Sequence, residues 1–213
     1  TPRSSSAASD VYKRQGYYNG NSIEVLIIQY TWPLQMIILS SLLYKEKLRI
    51  SKLIAVLFGF FGIVTIVVKG DFKEIYFSGI SISLLVLLGA FCFALFSVLS
   101  KKSKVELFHF TFIIFLGGTI TSSVALIFFS TFQFPSAKEI APIIANGLLI
   151  NGISYIFWIK ALKSISVTSS AVFVFFTPIL SLIWILIFFN EQFYLSYIIG
   201  GFLVLFSGMY CLR

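Results

Sequence analysis

Charge is scarce in this sequence. Only 11% of its 213 residues are Asp, Glu, Lys or Arg, whereas soluble domains carry about a quarter. Acids are scarcer still, 8 against 16 basic residues. None of them falls in the middle of an apolar run, so a buried proton relay or a fixed counter-ion for a charged substrate has no candidate. There is one histidine, His109. A membrane-embedded enzyme needs paired acids, a histidine cluster or a Ser/His dyad at membrane depth, and that class is set aside. Both cysteines, Cys92 and Cys211, sit inside apolar runs, which leaves no disulfide or metal framework. The basic residues form short clusters between apolar runs instead of one continuous face, and this excludes a nucleic-acid groove.

What the chain has in quantity is apolar surface. Hydrophobic residues make up 58%, with 25 Phe and 10 Tyr, and the mean hydropathy is +0.97. Seven runs approach the roughly 20 residues that a hydrocarbon core demands of a helix. They are Ile23–Tyr44, Ile50–Val68, Phe77–Ser100, Leu107–Phe129, Ile140–Leu162, Thr168–Phe189 and Phe193–Leu212. They are apolar on every face without alternation, so strands are excluded. The expected fold is all-α, a polytopic membrane protein with seven transmembrane helices and the lipid bilayer as its solvent. Residues 1–15 stand apart. The run from Ser5 to Gln15 coincides with one reading frame of a transposase adapter used in sequencing libraries, the alternative being a polar tail. Setting it aside lowers the net charge from +8 to +6, because Arg3, Lys13, Arg14 and Asp10 go with it.

Loop charge orients the bundle. Lys45, Lys47, Arg49, Lys52, Lys101, Lys102, Lys104, Lys160, Lys163 and Arg213 share one side, against Lys69, Lys73 and Lys138 on the other. The positive-inside rule makes the richer side cytoplasmic, with the C-terminus inside the cell. The first segment then enters from outside, which implies helices upstream of it.

The chain also repeats itself weakly. Pro33 and Glu46 are thirteen residues apart, as are Pro178 and Glu191; Ser51 with Ser196 and Ile54 with Ile199 keep the same offset of 145. That offset holds five helices, and an odd number inverts the second copy. Inverted repeats are a signature of secondary transporters. Tyr30-Thr31-Trp32-Pro33 with Leu42 through Leu48 resembles the penultimate helix of an EamA-type repeat, which points to the drug/metabolite transporter superfamily. Phe176-Thr177-Pro178 through Glu191 resembles the same helix in a second repeat, and Tyr155, Trp158, Ala161 and Leu162 the end of the helix before it. The resemblance implies a ten-helix bundle of two inverted five-helix repeats. Residues 16–70 would be the last two helices of the first repeat, and 71–213 the whole second repeat.

Within this frame the candidates are few. Gly147, Asn151, Ser154, Tyr155 and Trp158 recur at steps of three and four on the fifth segment, and asparagine facing lipid is expensive. That face is expected to line a cavity, with Asn146 off it and used in packing. The first segment offers two faces, Gln29 with Trp32 and Pro33, or Thr31 with Gln35, and the choice stays open. Pro33 and Pro178 are candidate hinges or static kinks. Glu46 and Glu191 read as structural acids at helix ends. Glu106 and His109 read as a surface pair, and Gly59, Gly62, Gly117, Gly118, Gly200 and Gly201 as close helix contacts. No catalytic or metal-ligating set and no cofactor is expected. The function expected is a carrier in the inner membrane that exports or exchanges a small neutral metabolite, an amino acid by the resemblance. The alternative is a non-transporting or flippase-type subunit. A homodimer is left open.

Overall fold

Lipid offers the backbone no hydrogen bonds, so a chain dissolved in it must close them internally, and a helix does so within one segment. Each of the seven apolar runs contains helix among the described residues. The computed structural model describes residues 22–45, 49–75, 79–129, 134–189 and 192–211. Its helices are α1 (Ser22–Gln29), α2 (Trp32–Tyr44), α3 (Ile50–Val67), α4 (Ile80–Lys102), α5 (Leu107–Phe129), α6 (Ala137–Ala145), a π-helical segment (Asn146–Ile153), α7 (Ser154–Ser164), α8 (Val167–Val174), α9 (Phe176–Phe189) and α10 (Leu195–Cys211). Three spans are composite: α1 with α2, α6 through α7, and α8 with α9. Six spans are long and apolar enough to cross a membrane. The seventh apolar helix, α10, has 17 residues and falls short of that length among the described residues.

Local chemistry sets the ends. The fifth span starts at Ala137, three residues before its apolar run, because Ser136 caps it: the Ser136 N–H donates to Glu139 Oε2 at 2.7 Å. Lys45 terminates α2 with a left-handed φ of 54°, and α3 runs out through Lys69 and Gly70 at 53° and 88°. Glycine tolerates that region freely; lysine does so at a cost. At α8, Ser166 Oγ accepts from the Ser169 N–H at 3.1 Å.

The core lies among α2, α3, α4, α8 and α10. Val86, Ala90, Ala94 and Val98 recur every fourth residue on α4 and are wholly buried, a narrow seam of small side chains that lets α2 approach. The tightest contact is between α3 and α10. A Cβ added to Gly62 would lie 2.7 Å from the Gly200 carbonyl oxygen, and one added to Gly200 would lie 2.5 Å from that of Gly62. Gly59 is pressed by the Phe175 ring in the same way. Gly117 and Gly201, by contrast, have nothing within 4 Å of a would-be Cβ, so the expectation of close contacts there is corrected. By comparison α5 and the α6–α7 span are outer helices, and Phe112, Ile113, Phe128, Leu148 and Ile150 stand more than half exposed. Such an apolar exterior suits lipid as the neighbour.

Candidate functional site

The first span is interrupted at Tyr30 and Thr31. Pro33 has no N–H, so the Gln29 carbonyl loses its i+4 donor. Thr31 replaces regular helix bonding with a local knot. Its N–H and its hydroxyl both reach the Ile28 carbonyl, at 3.1 and 2.6 Å. Gln35 Nε2 then donates to Thr31 Oγ1 at 2.9 Å. This chain of bonds fixes the glutamine. Two oxygens 2.6 Å apart need a proton between them, and a carbonyl has none, so the threonine proton points at Ile28. Thr31 Oγ1 can therefore only accept, and Gln35 must turn its NH₂ toward it. Gln35 Oε1 is left pointing elsewhere. It is buried and finds no hydrogen-bond partner among the described residues, and the same holds for Gln29 Oε1. An unsatisfied buried acceptor costs about 1–3 kcal/mol. Two such oxygens lie in adjoining turns of this one interrupted helix.

The predicted aromatic residues are brought together. Trp32, 8% exposed, packs edge-on against Phe93 at 4.7 Å and Trp158 at 5.6 Å. Tyr155 joins through Phe93, Phe96 and Phe115 at 5.5 to 6.0 Å. Trp158 Nε1 donates to Ser97 Oγ at 3.1 Å, which satisfies the indole inside the cluster. These rings bind α2, α4, α5 and α7 to one another.

Asn151 follows a different rule from the one its spacing suggested. Residues 146–153 are π-helical, with i→i+5 bonding, and Asn151 Nδ2 reaches back to the Asn146 carbonyl at 3.1 Å and to Asn146 Oδ1 at 3.3 Å. The two asparagines expected on separate faces thus share one. Gly147 faces open space. The signal was present in the sequence: Asn-Gly occurs at 146–147 and again at 151–152, five residues on.

Pro178 is in the first turn of α9, just past a second interruption at Phe175. Glu46 and Glu191 lie outside the described residues. The acid that sequence reading passed over is Glu24, in the first turn of α1 and 1% exposed. The Ser83 hydroxyl is within hydrogen-bond reach of both Glu24 Oε1 and the Gly79 carbonyl. It has one proton, and the carboxylate is the stronger acceptor, so the bond ties α1 to α4. Glu106 and His109 form the expected exposed pair, at 2.7 Å. Lys101 Nζ donates to the Leu162 carbonyl at 2.8 Å and to that of Ile165, closing the end of α7. A small groove lined by Ser169, Phe173, Phe176 and Met209 is apolar and touches none of the candidate polar side chains.

This apolar helical bundle resembles known proteins. The profile of the EamA-like transporter family matches residues 14–68 and 80–212. The chain belongs to the EamA-like transporter family. It is therefore a multi-pass membrane protein of a transporter family. It is 25% identical over 185 residues to the uncharacterized transporter YoaV of Bacillus subtilis (strain 168), covering 84% of this chain and 62% of the relative. It is 33% identical over 162 residues to an uncharacterized transporter in the sor 3' region of Acidianus ambivalens, covering 74% and 61%. An uncharacterized transporter of Archaeoglobus fulgidus is 29% identical over 176 residues, covering 79% and 59%. The chain thus spans about three fifths of the length of these curated relatives. A crystal structure matches with a TM-score of 0.83 at 20% identity, over 96% of this chain and 73% of the other, which shows the shared fold.

Proposed function

We propose that this EamA-family protein is a secondary carrier that exports or exchanges small, mostly neutral metabolites, amino acids first among them, by alternating access. The observation that carries this reading is the interruption of the first span at Tyr30–Thr31, flanked by two buried amide oxygens without partners among the described residues. Carriers use broken helices of this kind near the middle of the membrane, where freed backbone and polar side chains meet substrate. The interruption at Phe175 lies 145 residues after Tyr30, which supports two inverted repeats. In that reading the protein is a ten-helix bundle to which this chain contributes seven. Pro33 and Pro178 mark equivalent flexing points, and Asn151, Tyr155 and Trp158 face the pathway together with Gln29, Trp32 and Gln35. The distribution of loop lysines supports an inner-membrane location with the C-terminus in the cytoplasm.

The test is counterflow of labelled neutral amino acids into proteoliposomes of the full-length protein. Wild type should exchange at least one of them. Asn151→Leu should weaken its apparent affinity roughly tenfold, the equivalent of about 1.4 kcal/mol. Absence of exchange for every amino acid tried would remove the substrate class, and unchanged affinity in Asn151→Leu would remove that residue from the site.

A further inference from the structure

Among the described residues the one buried acid is Glu24, 1% exposed, in the first turn of α1 and of a span long enough to cross a membrane. Ionisable side chains inside such spans are rare and mark ion and proton pathways. Across from it, on α4, Ser83 Oγ meets both Glu24 Oε1 and, at 3.1 Å, the Gly79 carbonyl oxygen. Three oxygens in a row need two protons to make two hydrogen bonds. The hydroxyl brings one. With the carboxyl ionised, that proton goes to the carboxylate, and the Gly79 carbonyl is still served by the Ser83 N–H, at 3.1 Å. With the carboxyl protonated, its O–H donates to Ser83 Oγ and the hydroxyl donates to Gly79. Each state satisfies all three oxygens, and the change between them asks no heavy atom to move. Burial opposes the charged form while the start of a helix favours it, so the two environments pull against each other.

We propose that Glu24 and Ser83 form a proton-binding site, in which Glu24 takes up and releases a proton while both side chains keep their places. On uptake, a proton from water at that end of the span bonds to a Glu24 carboxylate oxygen, and the Ser83 hydroxyl turns from Glu24 to Gly79. On release the proton returns to water and the hydroxyl turns back. Only the bond between that oxygen and its proton is made or broken. The elements packed against α1 are α4 and α3. On α4 no titratable side chain precedes Cys92, and the charged residue of α3 is Lys52, at its opposite end. Lys69, Asp71, Lys73, Glu74 and Tyr76 follow α3 before α4 begins. Lys69 Nζ stands 5.3 Å from the centre of the Tyr194 ring, and Asp71 accepts from the Lys73 N–H at 3.0 Å. The site asks nothing of any cargo, so it stands apart from the carrier reading.

Infrared difference spectroscopy of the full-length protein in proteoliposomes, titrated from alkaline to acid while the fold persists, reads carboxyl protonation directly. Wild type should gain a carboxylic-acid carbonyl band that Glu24→Gln lacks. Ser83→Ala should keep that band but shift it, because the acid O–H loses its acceptor. The stability of wild type in a denaturing detergent should change with pH across the same transition, and Glu24→Gln should lose that change. A helix-end acid with a structural role only would give wild type and Glu24→Gln the same acid bands, and this result would overturn the assignment. So would a spectrum that Ser83→Ala leaves unshifted, a readout that stands even if Glu24→Gln fails to fold.

Discussion

Consider a single methyl group added at Gly62. It would sit 2.7 Å from the Gly200 carbonyl oxygen and 2.9 Å from Val204 Cγ2. Relaxed carbon–oxygen contacts lie near 3.4 Å, so α3 and α10 must part by about 0.7 Å. A gap of that size forfeits a quarter to a half of the dispersion energy of every atom pair along the contact. Overpacking of this kind typically costs about 1–3 kcal/mol. Alanine recovers about 1 kcal/mol of helix propensity over glycine, which leaves a net loss of about 0–2 kcal/mol. Gly200→Ala should lose slightly more, since its methyl would lie 2.5 Å from the Gly62 oxygen. The double variant should cost less than the two singles together, because the first methyl already opens the gap. Unfolding of the full-length protein in mixed micelles, titrated with a denaturing detergent, reads these differences. Gly201→Ala is the internal control. Nothing lies within 4 Å of its Cβ position, so it should be neutral or mildly stabilising. Equal stability of Gly62→Ala and Gly201→Ala would refute the claim that these helices meet backbone to backbone.

Three further outcomes are expected. Lys101→Met strips a charged donor from two carbonyls at the end of α7 and should lower stability in the same titration by about 1–3 kcal/mol, while Lys104→Met should not. Single cysteines at Lys102 and Lys163, in a background without Cys92 and Cys211, should resist an impermeant thiol reagent in intact cells. One at Lys138 should react, and reversed labelling would invert the topology. The Phe108 and His109 backbone N–H groups, with the His109 ring, hold the Glu106 carboxyl below its ordinary range. The folded value is the lower one, so this contact supports the start of α5 above the ordinary carboxylate value, about 4, and is lost as pH falls through the folded value. Amide protection factors in the first turn of α5 should drop in that window, and Glu106→Gln should remove the dependence.

Apolar length made the helices legible, because a span in lipid needs little beyond hydrophobicity and internal hydrogen bonding. Proline made the interruptions legible: Pro33 follows one break closely and Pro178 the other. Small residues were legible only in part. Gly62 and Gly200 meet a facing backbone, but Gly117 and Gly201 carry the same sequence signal and meet nothing, since which face of a helix finds a partner is settled by the partner. Glu24 was missed because it opens its helix, where acids are ordinarily wet; the burying contact with Ser83 comes from 59 residues away. The aromatic cluster shows the same limit. Trp32, Tyr155 and Trp158 were each visible as large side chains, but their mutual packing depends on Phe93, Phe96 and Phe115, from helices that no local pattern connects to them.

The wide turn at residues 146–153 is in effect a spare residue stored inside a membrane span. An i→i+5 turn accommodates one residue more than an i→i+4 turn, while the flanking helices keep their direction. Removing one residue between Gly147 and Ile150 would let the segment tighten to ordinary helix and leave Tyr155 and Trp158 against the same rings. Tightening without such a deletion would rotate everything beyond it by about 100°, one residue's turn of an α-helix, and would carry Trp158 away from Ser97 and Trp32. The span should therefore tolerate the loss of an amino acid here better than the loss of its wide turn.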